Sequence, residues 1–380
     1  MHDTLEKLGL QVPIFGFSHC RDVVAAISNA GGVGVYGASM HTDEQIAIDL
    51  AWIEEAVGGR PYAVDLMMPS NYVGADEGGL AAEAARSRIP PVYESFMQDI
   101  MARYSVPDVP GWDVEAEENI GNQRHTASQQ KGILDTAFKF RPKMLVAALG
   151  TPPRDVIDRA HDAGMLVGAL AGKVSHAMKH KAAGVDIVIA QSYEAGGHTG
   201  DIGGMVLTPL IVDAVAPQPV LAAGGIATGR QMAAALALGA QGVWCGTAWL
   251  TTIESECSPL MREKLIAATA EDTVKTRTYT GKPARYLHTA WVDEWNRPDA
   301  PPALPTPLQS VATGRYVERI DRASLLAGAT ADSGVGKLVN KPAGQVIGLL
   351  NDQSTCRNII RNMLDSCADA SMHLQSFFEE

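Results

Sequence analysis

Short apolar runs alternate with helix-like segments along most of the chain, and this rhythm limits the fold more than any other feature. The runs are 12–17 (VPIFGF), 33–36, 61–68 (PYAVDLMM), 143–149, 165–169, 187–191, 219–223 and 242–245. The first is followed by a helix over 22–29, with Val23, Val24 and Ile27 on one face and Ala30-Gly31-Gly32 as its stop. After the second, Thr42 caps a helix to about Val57. Strand, helix, strand, helix, strand favours parallel pairing with right-handed crossovers. Further helices are expected over 129–138, from Thr151-Pro152-Pro153 to Gly164, over 175–183 closed by Gly184, over 207–215 and over 229–238. Eight strands in this alternation are the count of a closed (β/α)8 TIM barrel, an α/β fold.

Two stretches break the rhythm. Segment 74–130 holds turn formers (Gly78, Gly79, Pro90, Pro91, Pro107, Pro110, Gly111) around one helix, 91–104, and a run of acids at 113–118. It is expected as an insertion after the third strand, over the barrel mouth or at an interface, since a structureless loop that long is unusual in a compact domain. After the eighth strand, 255–268 looks helical, 276–286 is basic and turn-rich, and 293–307 carries five prolines. The eighth barrel helix is then the last one, 344 to about 368, interrupted near 351–354. The expected organisation is a barrel over 1–250, a cap or substrate-binding insertion over 251–341, and the final helix and tail over 342–380.

Composition narrows the class. Hydrophobic residues are 46%, charged residues 19%, and glycine numbers 37, the profile of a soluble α/β enzyme. With 43 acidic against 31 basic residues, a net charge of -12 and no long basic run, binding to a nucleic-acid backbone is excluded. Five scattered cysteines form no CxxC pair, so neither a disulfide framework nor a zinc knuckle is indicated, and a reducing cytoplasm is expected. The N-terminus, MHDTLEKLGL, lacks the basic and apolar regions of a signal peptide. The most apolar stretch, 232–250, is broken by Gly239, Gln241, Gly242 and Gly246 and cannot span a membrane in one helix.

Chemistry is expected where strands end. The sixth strand runs into IVIAQSYEAGGHTG (187–200), which places His198 on a glycine-rich loop at the barrel mouth, able to serve as base, acid or hydrogen-bond donor. Gly224-Gly225 after the seventh strand and Gly246-Thr247 after the eighth lie in adjacent loops, where backbone N–H groups and the helix start at Gly229 can surround a phosphate. Taken singly, each would be only a tight turn. Gln191 ends the sixth strand with an amide that donates and accepts, as a flavin edge requires, or that caps its own loop. Lys173 either brings a cation to such a ring or is a solvated helix-start lysine. His176 and His180, four apart without an HExxH pattern, are expected on a solvated helix face, and Cys245 as a buried small residue.

AQSYEAGGHTG (190–200), PVLAAGGIATGRQMAAALALGAQGVWCGTAWL (219–250), SNAGGVGVYGA (28–38) and TYTGKPAR (278–285) together resemble the nitronate monooxygenase family, formerly called 2-nitropropane dioxygenases. The resemblance implies noncovalent FMN in a TIM barrel and oxidation of alkyl nitronates by O2 to carbonyl compounds and nitrite. It places Gln191, Gly196 and Gly197 at the flavin, Gly224-Gly225 and Cys245-Gly246-Thr247 at its phosphate, and His198 as catalytic base or substrate-orienting group. Two departures stand at the cofactor. The first strand ends FGFSHC, so Phe17, Ser18 and His19 replace the family's Gln-Ala-Pro-Met loop, and Asp65 in VDLMMP replaces its asparagine. Flavin-dependent enoyl-thioester reductases share much of the pattern, so an NAD(P)H-dependent reductase is the first alternative and a non-redox phosphate-ligand barrel the second. The partners expected are a small-molecule substrate and O2, with neither nucleic acid nor membrane; a homodimer is compatible.

Overall fold

The computed structural model describes residues 2–69, 72–74, 80, 82–109 and 131–378. Gly78, Gly79, Pro110, Gly111 and the acids at 113–118 lie outside the described residues. The strands in chain order are β1 (Ile14–Ser18), β2 (Val33–Gly37), β3 (Tyr62–Met67), β4 (Met144–Ala148), β5 (Leu166–Ala171), β6 (Ile187–Gln191), β7 (Gly197–His198), β8 (Val220–Ala223), β9 (Gly242–Cys245), β10 (Thr273–Thr276) and β11 (Ala284–Leu287). Those of the barrel close in the order β1-β2-β3-β4-β5-β6-β8-β9, every neighbour parallel, with β9 returning to β1 at Ile14↔Val243. This is the eight-stranded barrel with helices between its strands that the alternation demands.

Alternate residues fill the barrel. Phe15, Val33, Val35, Ala63, Met144, Val146, Ile187, Ile189, Leu221 and Trp244 form one buried cluster, while their neighbours in sequence face the helices. Leu5, Leu8 and Leu10 join that cluster. The helix Asp3–Glu6 precedes β1, so these leucines close the N-terminal end of the barrel. A single helical turn carries too little periodicity to announce such a plug.

The helix Cys356–Ser376 packs between Gly229–Ala237 and Arg21–Asn29, in the place of the eighth barrel helix. Its approach is close: a Cβ on Gly229 would stand 2.1 Å from Met363 O and 2.2 Å from Cys367 N. It starts later than expected, because Gln345–Leu349 is a 3-10 turn and Thr355 caps the helix proper through Asn358 N.

The cap holds regular structure in 276–286, a segment whose composition is turn-rich. β10 and β11 form an antiparallel hairpin (Thr276↔Ala284), and β7 adds to it at Ala284↔His198. The helices Pro259–Ala267, Ala290–Trp295, Leu308–Ala323 and Gly334–Leu338 surround this sheet. Tyr279 stacks between Tyr286 (4.2 Å between ring centroids) and Trp291 (5.2 Å). The first insertion contributes helix Pro91–Arg103, whose Tyr93, Met97, Ile100 and Met101 are buried with Trp291, Trp295 and Tyr316 of the cap. Arg103 pairs with the buried Glu294 at 2.8 Å, tying the two insertions together. Among the described residues no helix is long and apolar enough to cross a membrane.

Candidate functional site

The strand ends of the barrel bring the expected residues to one mouth, but not all of their side chains. Side chains alternate along a strand, so Phe17, Asp65 and Gln191 share the inward face with Phe15, Ala63 and Ile189. Ser18 and Cys245 belong to the opposite set. Ser18 Oγ accepts from Cys20 N at 3.1 Å, and Cys245 is buried among the helices, where desolvation pushes its thiol up to about 12. Only their backbones reach the mouth. Lys173 is exposed at the start of helix Val174–Ala183 and does not join the group. Gln191 makes no side-chain hydrogen bond to a described residue, so it does not cap its own loop.

Gly224 and Gly225 are left-handed, with φ of +95° and +69°. Consecutive amides in such a turn point toward a common side, which suits an anion. The N–H groups of Gly224, Gly225, Ile226 and Gly246 donate to no described residue. Beside them Ser192 Oγ is buried without a partner among the described residues, 2.4 Å from where a Cβ on Gly224 would stand. Gly246 faces open space, its nearest neighbour being Phe17 Cδ1 at 4.0 Å from an added Cβ. The helix start at Gly229 is not part of this cradle: Ala227 N and Thr228 N are taken by Gln231 Oε1, and Gly229 N by Ser366 Oγ. Ser192 was not singled out from sequence, although its place one residue past the sixth strand, opposite AGG, was visible there.

Gly196 serves packing. A Cβ there would lie 2.8 Å from Gly344 N, on the chain returning from the cap, and Thr247 Oγ1 accepts from that same Gly344 N at 2.9 Å. Gly197 is left-handed at φ +71° and opens the strand that carries His198. Both carboxylate oxygens of Glu194 accept from Gly204 N at the start of helix Gly204–Val215.

His198 is held in a strand, not in a loop. Its ring is half-buried, and Nδ1 lies 3.3 Å from Pro283 O. A carbonyl only accepts, so Nδ1 carries the proton and Nε2 is left as an acceptor. Desolvation, with Lys282 nearby, lowers the pKa of His198 to about 4. On the far side of Pro283 a cleft of about 530 Å³ opens in the cap, lined by Lys275, Arg277, Trp295, Pro301 and Pro302 among others, and it does not include His198.

A second imidazole stands at the mouth. His19 Nδ1 donates to Gly37 O at 2.7 Å, and its ring meets Phe17 edge-on at 5.2 Å. Burial first, then the charges of His41 and Lys341, bring its pKa down to about 4. Lys341 comes from the cap side and is held above its ordinary pKa by Asp321, 3.4 Å away. His180, expected on a solvated face, is buried instead, its Nε2 on Leu170 O at 3.1 Å and its Nδ1 on Thr151 Oγ1 at 2.9 Å, while His176 is exposed.

Comparison with known proteins completes this picture. The family profile described as Nitronate monooxygenase matches residues 4–366. A protein of Mycobacterium tuberculosis named as a monooxygenase is 48% identical over 374 residues, 98% of each chain. One of Staphylococcus saprophyticus named as a nitronate monooxygenase is 32% identical over 73% of this chain and 75% of its own. The structure of a nitroalkane oxidase from Streptomyces ansochromogenes superposes with a TM-score of 0.78 at 27% identity, over 98% of this chain and all of the other. FabK from Thermotoga maritima, at 23% identity and a TM-score of 0.72 over 99% of each chain, shares the fold.

Proposed function

Because the chain belongs to the nitronate monooxygenase family, we propose that it binds FMN at the barrel mouth and uses O2 to oxidise alkyl nitronates or related nitro compounds to a carbonyl compound and nitrite. The observation that carries this reading is the pairing of an anion cradle with a neutral base across one mouth. Free amides at 224–226 and 246, with the unpartnered Ser192 hydroxyl, fit a phosphate, and a Cβ at Gly224 would fill the place beside that hydroxyl. Phe17 and Gln191, inward-facing above, supply an apolar wall and a donor-acceptor amide for a ring. The flavin, when bound, supplies the electron chemistry that no side chain here can perform.

His198 works through Nε2. With Nδ1 tied to Pro283 O, the free lone pair accepts a proton from the carbon bearing the nitro group of a neutral substrate, or orients a nitronate already formed. A base whose pKa is about 4 is unprotonated across the physiological range. Lys282, close enough to lower the pKa of His198, gives the cap side a positive charge that favours an anionic substrate.

The test is the visible spectrum of the purified protein, taken aerobically and then without oxygen after adding a nitronate or, separately, NADPH. Bleaching by nitronate alone supports the reading. Reduction by NADPH only marks a flavin reductase, and a protein that stays colourless when FMN is added refutes the cofactor.

A further inference from the structure

Among the described residues, Asp65 is a buried carboxyl at the mouth that the proposed reaction leaves without a task. It lies on β3 opposite Gly37 of β2 and Val146 of β4, two residues beyond the interior Ala63 and on the same face. Only 5% of it is exposed, and it makes no hydrogen bond or ion pair with a described residue. Gly37 has no side chain to cover it. The space a Cβ would take there is occupied by the rings of Phe17 and His19, whose atoms come within 2.8 Å of that point.

Among the described residues none donates a hydrogen bond to, or forms an ion pair with, a charge on Asp65. The titratable groups brought to this side are His19 from the end of β1, His41 beyond the turn Ala38–Met40, and Lys341 from the cap, while Met144–Ala148 on β4 carries none. Tyr36 belongs to the outward set and donates to Asp49 at 2.7 Å, and Arg21 is committed to the same carboxylate at 3.0 Å. Burial alone raises the pKa of Asp65 to about 7. A carboxyl so placed is protonated and free to donate, or ionised and costly.

We propose that Asp65 is a proton-linked ligand of the flavin, donating a hydrogen bond as the neutral acid to an acceptor on the ring, so that ring binding takes up a proton at this carboxyl. This rests on the FMN reading given above. The flavin offers carbonyl oxygens and ring nitrogens as acceptors, and only the protonated carboxyl can donate to them. A ring closing over the mouth also expels water, which disfavours the ionised form further.

The experiment is titration of apoprotein with FMN, followed by quenching of flavin fluorescence from about pH 6 to 9, for the wild type, Asp65→Asn and Asp65→Leu. In the wild type the Kd should hold steady below about pH 7 and then weaken, by up to about tenfold per pH unit. Asp65→Asn, isosteric and always able to donate, should bind tightly with no such weakening. Asp65→Leu should bind weakly at every pH. Titration of the FMN phosphate is common to all three, so the ratio of wild type to Asp65→Asn isolates the carboxyl. A ratio that is flat, or that favours the wild type as pH rises, overturns the proposal. If the wild type binds no FMN at any pH, the FMN reading itself has failed.

Discussion

Replacing His198 by Asn tests the proposed base most directly. The substitution keeps an amide near Pro283 O but removes the Nε2 lone pair. Desolvation brings the imidazole from 6.5 to about 4, which makes it a weak base for a carbon acid. General bases contribute roughly 10² to 10⁴-fold, and such a mismatch puts His198 at the low end. The expected loss with a neutral nitroalkane is therefore about 10²-fold in kcat/KM, or about 2.7 kcal/mol. With a nitronate prepared beforehand no proton has to be removed, and the loss should be only a few-fold. The assay is steady-state nitrite release with both forms of one substrate, together with the flavin spectrum of the variant, which should match the wild type. Wild-type turnover of the neutral compound in the variant refutes the assignment, and equal losses on both forms would make His198 a positioning group.

Other outcomes follow from the same geometry. Gly224→Val should abolish FMN retention, because a side chain at φ +95° is strained and its Cβ would press on Ser192 Oγ; the bound flavin per chain after gel filtration checks this. Ser192→Ala removes a hydroxyl with no partner among the described residues, so apoprotein Tm should stay within about a degree or rise, while FMN affinity falls several-fold in the same titration. A histidine whose folded pKa lies below its unfolded value binds fewer protons when folded. Apoprotein stability should therefore be insensitive to His198 above about pH 6.5 and fall by up to about 1.4 kcal/mol per pH unit toward about 4. Urea unfolding of His198→Asn should show a shallower acid decline, and an unchanged one would contradict its desolvation. Glu294→Ala strips the carboxylate shared by Arg103 (2.8 Å), Arg297 (2.9 Å) and Tyr104 (3.1 Å), and should cost about 1–3 kcal/mol by denaturant unfolding.

Much of the barrel was legible because its determinants are local. Periodicity, caps such as Thr42 and stops such as Gly184 act within a few residues, and eight parallel strands joined by helices have few other ways to bury their faces. The glycine pairs at strand ends were legible for the same reason, since Gly224 and Gly225 adopt the left-handed turn that their neighbours in sequence suggest. The placement of His198 at the mouth likewise followed from where its strand ends.

Tertiary structure decided what depends on distant chain. His198 lies in a two-residue strand whose partner is Ala284, and neither segment is long or alternating enough to announce the pair alone. Ser18 and Cys245 stand at strand ends and Lys173 just beyond one, yet register turns the side chains of the first two outward and the third lies exposed at a helix start. The helix start at Gly229 was closed to phosphate by Gln231 and by Ser366, the latter more than a hundred residues away. Asp65 was visible as a departure, but its isolation was not, because desolvation is set by everything packed around a group. Sequence alone thus determined the fold and the strand ends at which the candidate residues gather, since hydrophobic period and backbone conformation are short-range. Which donors stay free, and which groups lose their water, were decided by the folded chain, since both depend on neighbours that only folding brings together.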